Sequence, residues 1–367
     1  MAYCCTSSIV CSGNAFTGNV GTLCISNEGC VYCFGKQFQG SNTQEYNTII
    51  YPPQKIPLLK NITSIDCGYC HTLCLDIDGY VYSFGENKYS QLGLGKDVET
   101  LKFSNVPQQI IDIPPIKQIS CGRHFSFCLS EDGFLYSFGE NSNGQLGHGN
   151  NEKCNYPKKL DSLENVDFVR CGGDFVFCKI INNDLYSWGK NDVGQIGINN
   201  TIDQTLPIKS VDWEEDIVDL KCGFFHTLVL TSNQNVYSCG DCASLQLGRI
   251  ITDRFSPSFQ IIPFLSEITR IECGYIHSMC IDNYDRLYVF GSNYFGQLGL
   301  QSYGNKGEPT LFPLSNIIDV STKGFSSFIK TSKNEIYAFG NNKSLQLGIK
   351  TEKENQIKPI QILKDEE

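Results

Sequence analysis

At 367 residues, 41% of them hydrophobic and 19% charged, the chain carries enough apolar side chain to bury a sizeable core and is not a disordered acidic tail. The 39 acidic and 29 basic residues leave a formal net charge of -10, and no Lys- or Arg-rich arm stands at either end, which argues against direct nucleic-acid binding and for a basic protein partner. The apolar segments are short, so neither a membrane span nor a secretory signal is expected. A cytoplasmic or nuclear protein follows, in which the 19 cysteines read as free thiols, metal ligands or small core residues before they read as disulfides.

In chain order, one unit returns seven times. Its fullest form is Cys67-Gly68-Tyr69-Cys70-His71-Thr72-Leu73-Cys74-Leu75, then Asp78-Gly79, then Val81-Tyr82-Ser83-Phe84-Gly85. The closing glycine falls at Gly35, Gly85, Gly139, Gly189, Gly240, Gly291 and Gly340. Three residues before it stands Tyr32, Tyr82, Tyr136, Tyr186, Tyr237, Tyr288 or Tyr337. Two residues after the tyrosine comes Phe34, Phe84, Phe138, Trp188, Phe290 or Phe339, with Cys239 as the one small substitute. On an extended strand that spacing puts both rings on one face. The turn before each tyrosine carries Gly29, Gly79, Gly133, Asn183, Gln234, Asp285 and Asn334 at one register, mostly residues that tolerate a left-handed backbone, so a tight hairpin is expected.

After the closing glycine, Gln91-Leu92-Gly93, Gln145-Leu146-Gly147, Gln195-Ile196-Gly197, Gln246-Leu247-Gly248, Gln297-Leu298-Gly299 and Gln346-Leu347-Gly348 each begin six residues on. A spacing that never varies predicts a packed or hydrogen-bonded loop. Each unit then restarts with proline and a short apolar strand, as in Pro107-Gln108-Gln109-Ile110 and Pro157-Lys158-Lys159-Leu160. Four short strands per unit with no helical period describe a propeller blade, and seven blades close a ring. The chain therefore reads as one all-β domain over 1–367, a seven-bladed propeller of four-stranded antiparallel blades. Because the N-terminal unit lacks a preceding proline strand and Pro359-Ile360-Gln361-Ile362 stands alone at the end, strand 357–363 is expected to complete the blade of residues 8–35 and clasp the ring.

These motifs resemble the repeats of the regulator of chromosome condensation family, over about residues 8–363. The resemblance implies a seven-bladed propeller that binds and regulates a small Ras-superfamily GTPase, Ran-like by preference, possessing guanine-nucleotide exchange activity and no covalent catalysis. The alternative is a non-catalytic scaffold or adaptor. A monomer is expected, with no cofactor, no direct nucleic acid and no membrane partner.

Candidate sites are few. Cys67-Gly68-Tyr69-Cys70-His71 fits a c-type haem pattern, but other units repeat its outer cysteine and histidine without the inner cysteine, so it reads as repeat sequence. Cys30/Cys33 and Cys239/Cys242 have zinc-like spacing, yet residues three apart on a strand face opposite ways, and no metal is assigned. No nucleophile-base set and no phosphate-binding loop is present. Asp174, in Gly172-Gly173-Asp174-Phe175, is the one acidic residue directly before the histidine register; the founding exchange factor presents acidic residues in such contexts to its GTPase. With Arg123 and His124 one blade earlier, Asp174 is the candidate GTPase contact. Trp213, Glu214, Glu215 and Asp216 form a second candidate, for a basic partner. The loop Lys36 to Asn47, which has lost Gln-Leu-Gly, is the place for a specialised contact, since the founding member's wedge finds no insertion between the other closing glycines and their glutamines.

Overall fold

The computed structural model describes residues 6–14, 19–36, 49–95, 101–351 and 353–363, which form 28 strands in seven four-stranded antiparallel sheets. No helix occurs among these residues, hence none long and apolar enough to cross a membrane. Blade 1 comprises β1 (Thr6–Asn14), β2 (Asn19–Ser26), β3 (Val31–Lys36) and β4 (Ile49–Lys55). Blade 2 comprises β5 (Ile62–Cys67), β6 (His71–Asp76), β7 (Val81–Glu86) and β8 (Phe103–Gln109). Blades 3 to 6 are β9–β12 (116–159), β13–β16 (166–209), β17–β20 (217–261) and β21–β24 (268–311). Blade 7 is β25 (Ile317–Lys323), β26 (Ser326–Thr331), β27 (Ile336–Asn341) and β28 (Asn355–Leu363).

First strands pack against one another around the ring, β1 against β25 included, so they line the axis and fourth strands form the rim. The rim position explains the prolines: a rim strand has a free edge where a missing N–H removes no ladder bond. All seven hairpin residues from Gly29 to Asn334 are left-handed, with φ between 58° and 84°, Gln234 among them.

The core lies between blades, one apolar cluster to each of the seven seams. Between blades 3 and 4, Phe125, Phe127 and Leu146 meet Val169, Cys178 and Trp188, all dry. The paired rings expected on one face of the third strand do face one seam, Tyr136 with Phe138 and Tyr288 with Phe290. The second ring closes on the Gln-Leu-Gly glycine of the blade before it. A Cβ on Gly93 would stand 2.7 Å from the Phe138 ring, and one on Gly248 2.7 Å from Phe290. Where Cys239 takes the ring's place, Phe259 from the rim strand fills the gap and leaves a Cβ on Gly197 only 2.2 Å.

The glutamines hold this seam with polar bonds. Each side-chain oxygen accepts an N–H from its own loop, as Gln145 does from Asn143 at 2.8 Å and Gln297 from Phe295 at 2.9 Å, which is why the loop length is fixed. Each backbone carbonyl accepts from the next blade: Gln91 from Ser126 Oγ, Gln145 from Trp188 Nε1, Gln195 from Thr227 Oγ1, Gln246 from Ser278 Oγ, Gln297 from Ser327 Oγ and Gln346 from Thr22 Oγ1, all at 2.7 to 2.9 Å. In three seams a histidine completes the chain, with Nε2 of His71, His226 and His277 at 2.9 to 3.0 Å from Ser126, Ser278 and Ser327. Because the serine proton is committed to the carbonyl, the imidazole donates from Nε2. Burial lowers all three histidines to about 3, so they are neutral in the fold.

The expected composite blade is not formed. β28 pairs with β27, Tyr337 opposite Gln361 and Gly340 opposite Gln356, and blade 1 supplies all four of its own strands. The proline strand is the last of its blade, not the first, so the strand expected to be missing from blade 1 is β4, with Pro52 and Pro53. Blade 1 meets blade 7 through the same contacts as any other pair: Thr22 bonds Gln346, and Phe34 packs near Gly348.

Ser278→Ala leaves the Gln246 carbonyl and the His226 Nε2 hydrogen without partners in a dry seam. The expected loss is ~2 kcal/mol in urea unfolding; a loss below ~0.5 kcal/mol contradicts the role given to this bond.

Candidate functional site

Strands in each blade run alternately, so loops joining strands 1 to 2 and 3 to 4 share one face of the disc, and hairpins 2 to 3 share the other with the blade-to-blade linkers. On the first face the scaffold is fixed. The N–H after each closing glycine donates to the carbonyl ahead of strand 2, Glu140 to His124 and Lys190 to Asp174 at 2.9 Å each, and a Cβ on Gly139 or Gly189 would meet those carbonyls at 2.6 and 2.5 Å. Neighbouring 1–2 loops join by backbone bonds near the axis, Tyr69 N–H to Arg123, Arg123 to Gly173, Phe224 to Tyr275 and Tyr275 to Gly324. What varies from blade to blade is the side chain at each pinned position.

Three sequence candidates meet here. Arg123 Nη2 lies 3.0 Å from Asp174 Oδ2 and 3.9 Å from Glu140 Oε2, so two carboxylates share one guanidinium. His124 packs against Tyr69 and Tyr89, at ring-centroid distances of 5.5 and 4.6 Å, with Nδ1 4.0 Å from Glu86. Four buried atoms, Asp174 Oδ1, Glu140 Oε2, Arg123 Nε and His124 Nδ1, have no hydrogen-bond partner within the chain. Asp174 is 4% exposed. Burial lifts its carboxyl to about 6, with Arg123 opposing and Glu140 reinforcing, and burial with Arg123 takes His124 down to about 4. A rigid pocket edge with unfilled acceptors can take a cationic group from a partner.

Toward the axis, Tyr69, Arg123, Phe224, Tyr275 and Lys323 line a cavity. Lys323 occupies a register held elsewhere by glycine because a histidine or phenylalanine ring lies over it: a Cβ on Gly274 would come within 2.0 Å of His277. In blade 7 that ring is replaced by Ser326, leaving room for the lysine, which bonds Asp66 across the axis at 3.0 Å.

Trp213, Glu214, Glu215 and Asp216 lie on the opposite face, in the linker entering β17. Trp213 stacks edge-on against Tyr237, 5.2 Å away, and packs on Phe259. The Glu215 carboxylate accepts from Thr231, Asn235 and Tyr237, so only Glu214 and Asp216 are exposed. Of the loop Lys36 to Asn47, all but Lys36 lies outside the described residues. Beyond the glutamine, loop length does vary. Gly85 pairs with Ser104, nineteen residues on, where Gly139 pairs with Cys154, fifteen on; the longer loop belongs to blade 2 and carries Tyr89. Glu140 and Lys190, one place past a closing glycine, were not singled out by sequence because only the fold brings them beside Arg123 and Asp174.

A rigid ring whose repeat residues build the blades and whose loop residues vary on one face is a repeat propeller. The chain belongs to the regulator of chromosome condensation (RCC1) repeat family, whose models match residues 78–129, 132–178, 182–230 and 284–325, and also 62–91 and 116–145, more than half the chain together. It is 35% identical to the Xenopus laevis regulator of chromosome condensation over 147 residues, 38% of this chain and 33% of that protein. Against the human X-linked retinitis pigmentosa GTPase regulator it is 36% identical over 303 residues, 80% of this chain and 29% of that protein. The chain thus spans about a third of the length of these relatives. Among solved structures, yeast RCC1 (Prp20), crystallised bound to Kap60, superposes with a TM-score of 0.79 at 18% identity, covering 100% of this chain and 85% of that one. A second Prp20p structure from Saccharomyces cerevisiae, whose description reports binding to Gsp1p and histones, gives 0.74 at 20%, covering 87% and 80%.

An acid whose folded pKa lies above its unfolded value stabilises the fold while protonated. For Asp174, shifted from 3.8 to about 6, that contribution is full below the lower value and is lost as pH rises through the upper one. Asp174→Asn should therefore gain ~1–3 kcal/mol on the wild type between about pH 4.5 and about pH 8 in urea titrations. A difference that does not change with pH contradicts the assigned burial.

Proposed function

We propose that this propeller binds a small Ras-superfamily GTPase, Ran-like in type, through the face carrying Arg123, His124 and Asp174, and that it accelerates guanine-nucleotide exchange. The observation that carries the reading is the pair of carboxylates, Asp174 and Glu140, sharing one arginine, with Asp174 Oδ1 buried without a hydrogen-bond partner and Glu140 Oε2 held by the 3.9 Å ion pair to Arg123 and no hydrogen bond. A lysine or arginine of the GTPase fits that deficit. The names of two relatives support it, a GTPase regulator and a protein described as binding Gsp1p.

Exchange requires no bond chemistry from the propeller. Tighter binding of the nucleotide-free GTPase than of the loaded form shifts the population and releases nucleotide. The partner is taken up in the nucleus or the cytoplasm by a monomeric propeller. A second reading, an adaptor without exchange activity, is favoured by the constant spacing from closing glycine to glutamine in six loops, which leaves no wedge-like insertion there.

Release of fluorescent GDP from Ran-, Rab- and Arf-type GTPases separates the two. Acceleration of one class by at least about tenfold, reduced by at least about tenfold in Asp174→Asn, is expected for exchange. Tight binding without acceleration selects the adaptor, and no binding to any class removes both GTPase readings.

A further inference from the structure

In the 1–2 loops, blades 3 and 4 hold Arg123, His124 and Asp174 just ahead of the second strand, where blades 5 to 7 hold Phe224, Phe225, Tyr275 and Phe325. Those rings form an unbroken arc: Phe225 on Phe224 at 4.6 Å, Phe224 on Tyr275 at 5.2 Å, Tyr275 on Phe325 at 5.6 Å, Phe325 on Phe295 at 4.8 Å and Phe295 on Tyr294 at 5.1 Å. Phe325 is buried beneath the arc, Phe224, Phe225, Tyr275 and Phe295 are half-buried, and Tyr294 is 72% exposed. Phe224 and Tyr275 share the register of Tyr69, while Phe225 and Phe325 stand at a register that holds Cys70, His124, Asp174 and Ile276 in other blades, so the repeat alone does not account for six rings in a row. The Lys190 ammonium stands 5.8 Å over the Phe225 ring, at the end of the arc.

We infer that the arc is the apolar half of a two-part docking face, and that its occupant is a protein segment presenting aliphatic or aromatic side chains next to a basic residue. The aliphatic group lies on the rings while its basic neighbour pairs with Asp174 and Glu140. Partly desolvated aromatic rings are the residues on which interfaces concentrate binding energy, and the Asp174 and Glu140 carboxylates beside them favour a basic companion. This deepens the GTPase reading and rests on it for the partner's identity, though not for its chemistry.

The test uses the full chain and three fluorescent peptides of about eight residues, alternating Leu with Lys, Ser with Lys and Leu with Glu, read by anisotropy. Only the Leu-Lys peptide should bind, with affinity falling about tenfold in Phe224→Ser/Tyr294→Ser and about threefold in Asp174→Asn. Equal binding of the Ser-Lys peptide, wild-type affinity in the folded double variant, or no binding of Leu-Lys peptide overturns the inference. Should the double variant fail to fold, Tyr294→Ser alone decides, because its side chain is exposed. Nucleotide-free GTPases form a separate arm: one that binds but ignores the double variant overturns the arc alone. Failure of every GTPase alongside specific Leu-Lys binding overturns only the GTPase reading.

Discussion

The structure depends on one contact made again at six of the seven seams, the Gln-Leu-Gly loop of one blade against the second and third strands of the next. Its carbonyl takes a hydrogen bond from a hydroxyl or indole of the next blade, and its glycine lets an aromatic ring come into van der Waals contact. A Cβ at Gly93 or Gly248 would intrude on that ring, so the loop, the ring and the spacing between them are one constraint. The contact closes the circle as well, since Thr22 and Phe34 meet Gln346 and Gly348 as any other pair would. No special clasp is required. The neutral histidines deepen the dependence, because protonating one places a charge inside a dry seam.

Rigidity of this kind gives function a particular location. Loops that are bonded to closing glycines and to each other around the axis cannot rearrange cheaply, but their side chains are free to differ. Asp174 shows the result: a carboxylate held where burial lifts it to about 6, kept there by a backbone carbonyl fixed to Lys190 and by an arginine it shares with Glu140. Burying this carboxylate opposes stability, which supports the proposal that Asp174 is placed for a partner.

The seven copies in the sequence make the blade legible almost completely, because each repeated residue is tested seven times. Gln234, an unlikely turn residue by composition, is left-handed because its register demands it. Copies do not reveal phase, however. A unit that opens on the proline strand and one that closes on it have the same sequence; the strand closes it, and that single offset separates the expected composite blade from the one observed. Nor do they show compensation between distant positions. Phe259 standing in for the ring lost at Cys239, and Lys323 permitted by Ser326, need the third dimension. Of the proposed site, Arg123, His124 and Asp174 stand out in the sequence as departures from the repeat, while Glu140, Lys190 and the aromatic arc join them only through the ring.

Function on this account sits on the face of the 1–2 and 3–4 loops, and amide hydrogen exchange of the full chain with and without a bound nucleotide-free GTPase measures it directly. Protection confined to 122–126, 172–176 and 223–227 is the result the account predicts. Protection confined to the hairpins at 131–134 and 182–184, or to the Trp213 linker, would contradict it.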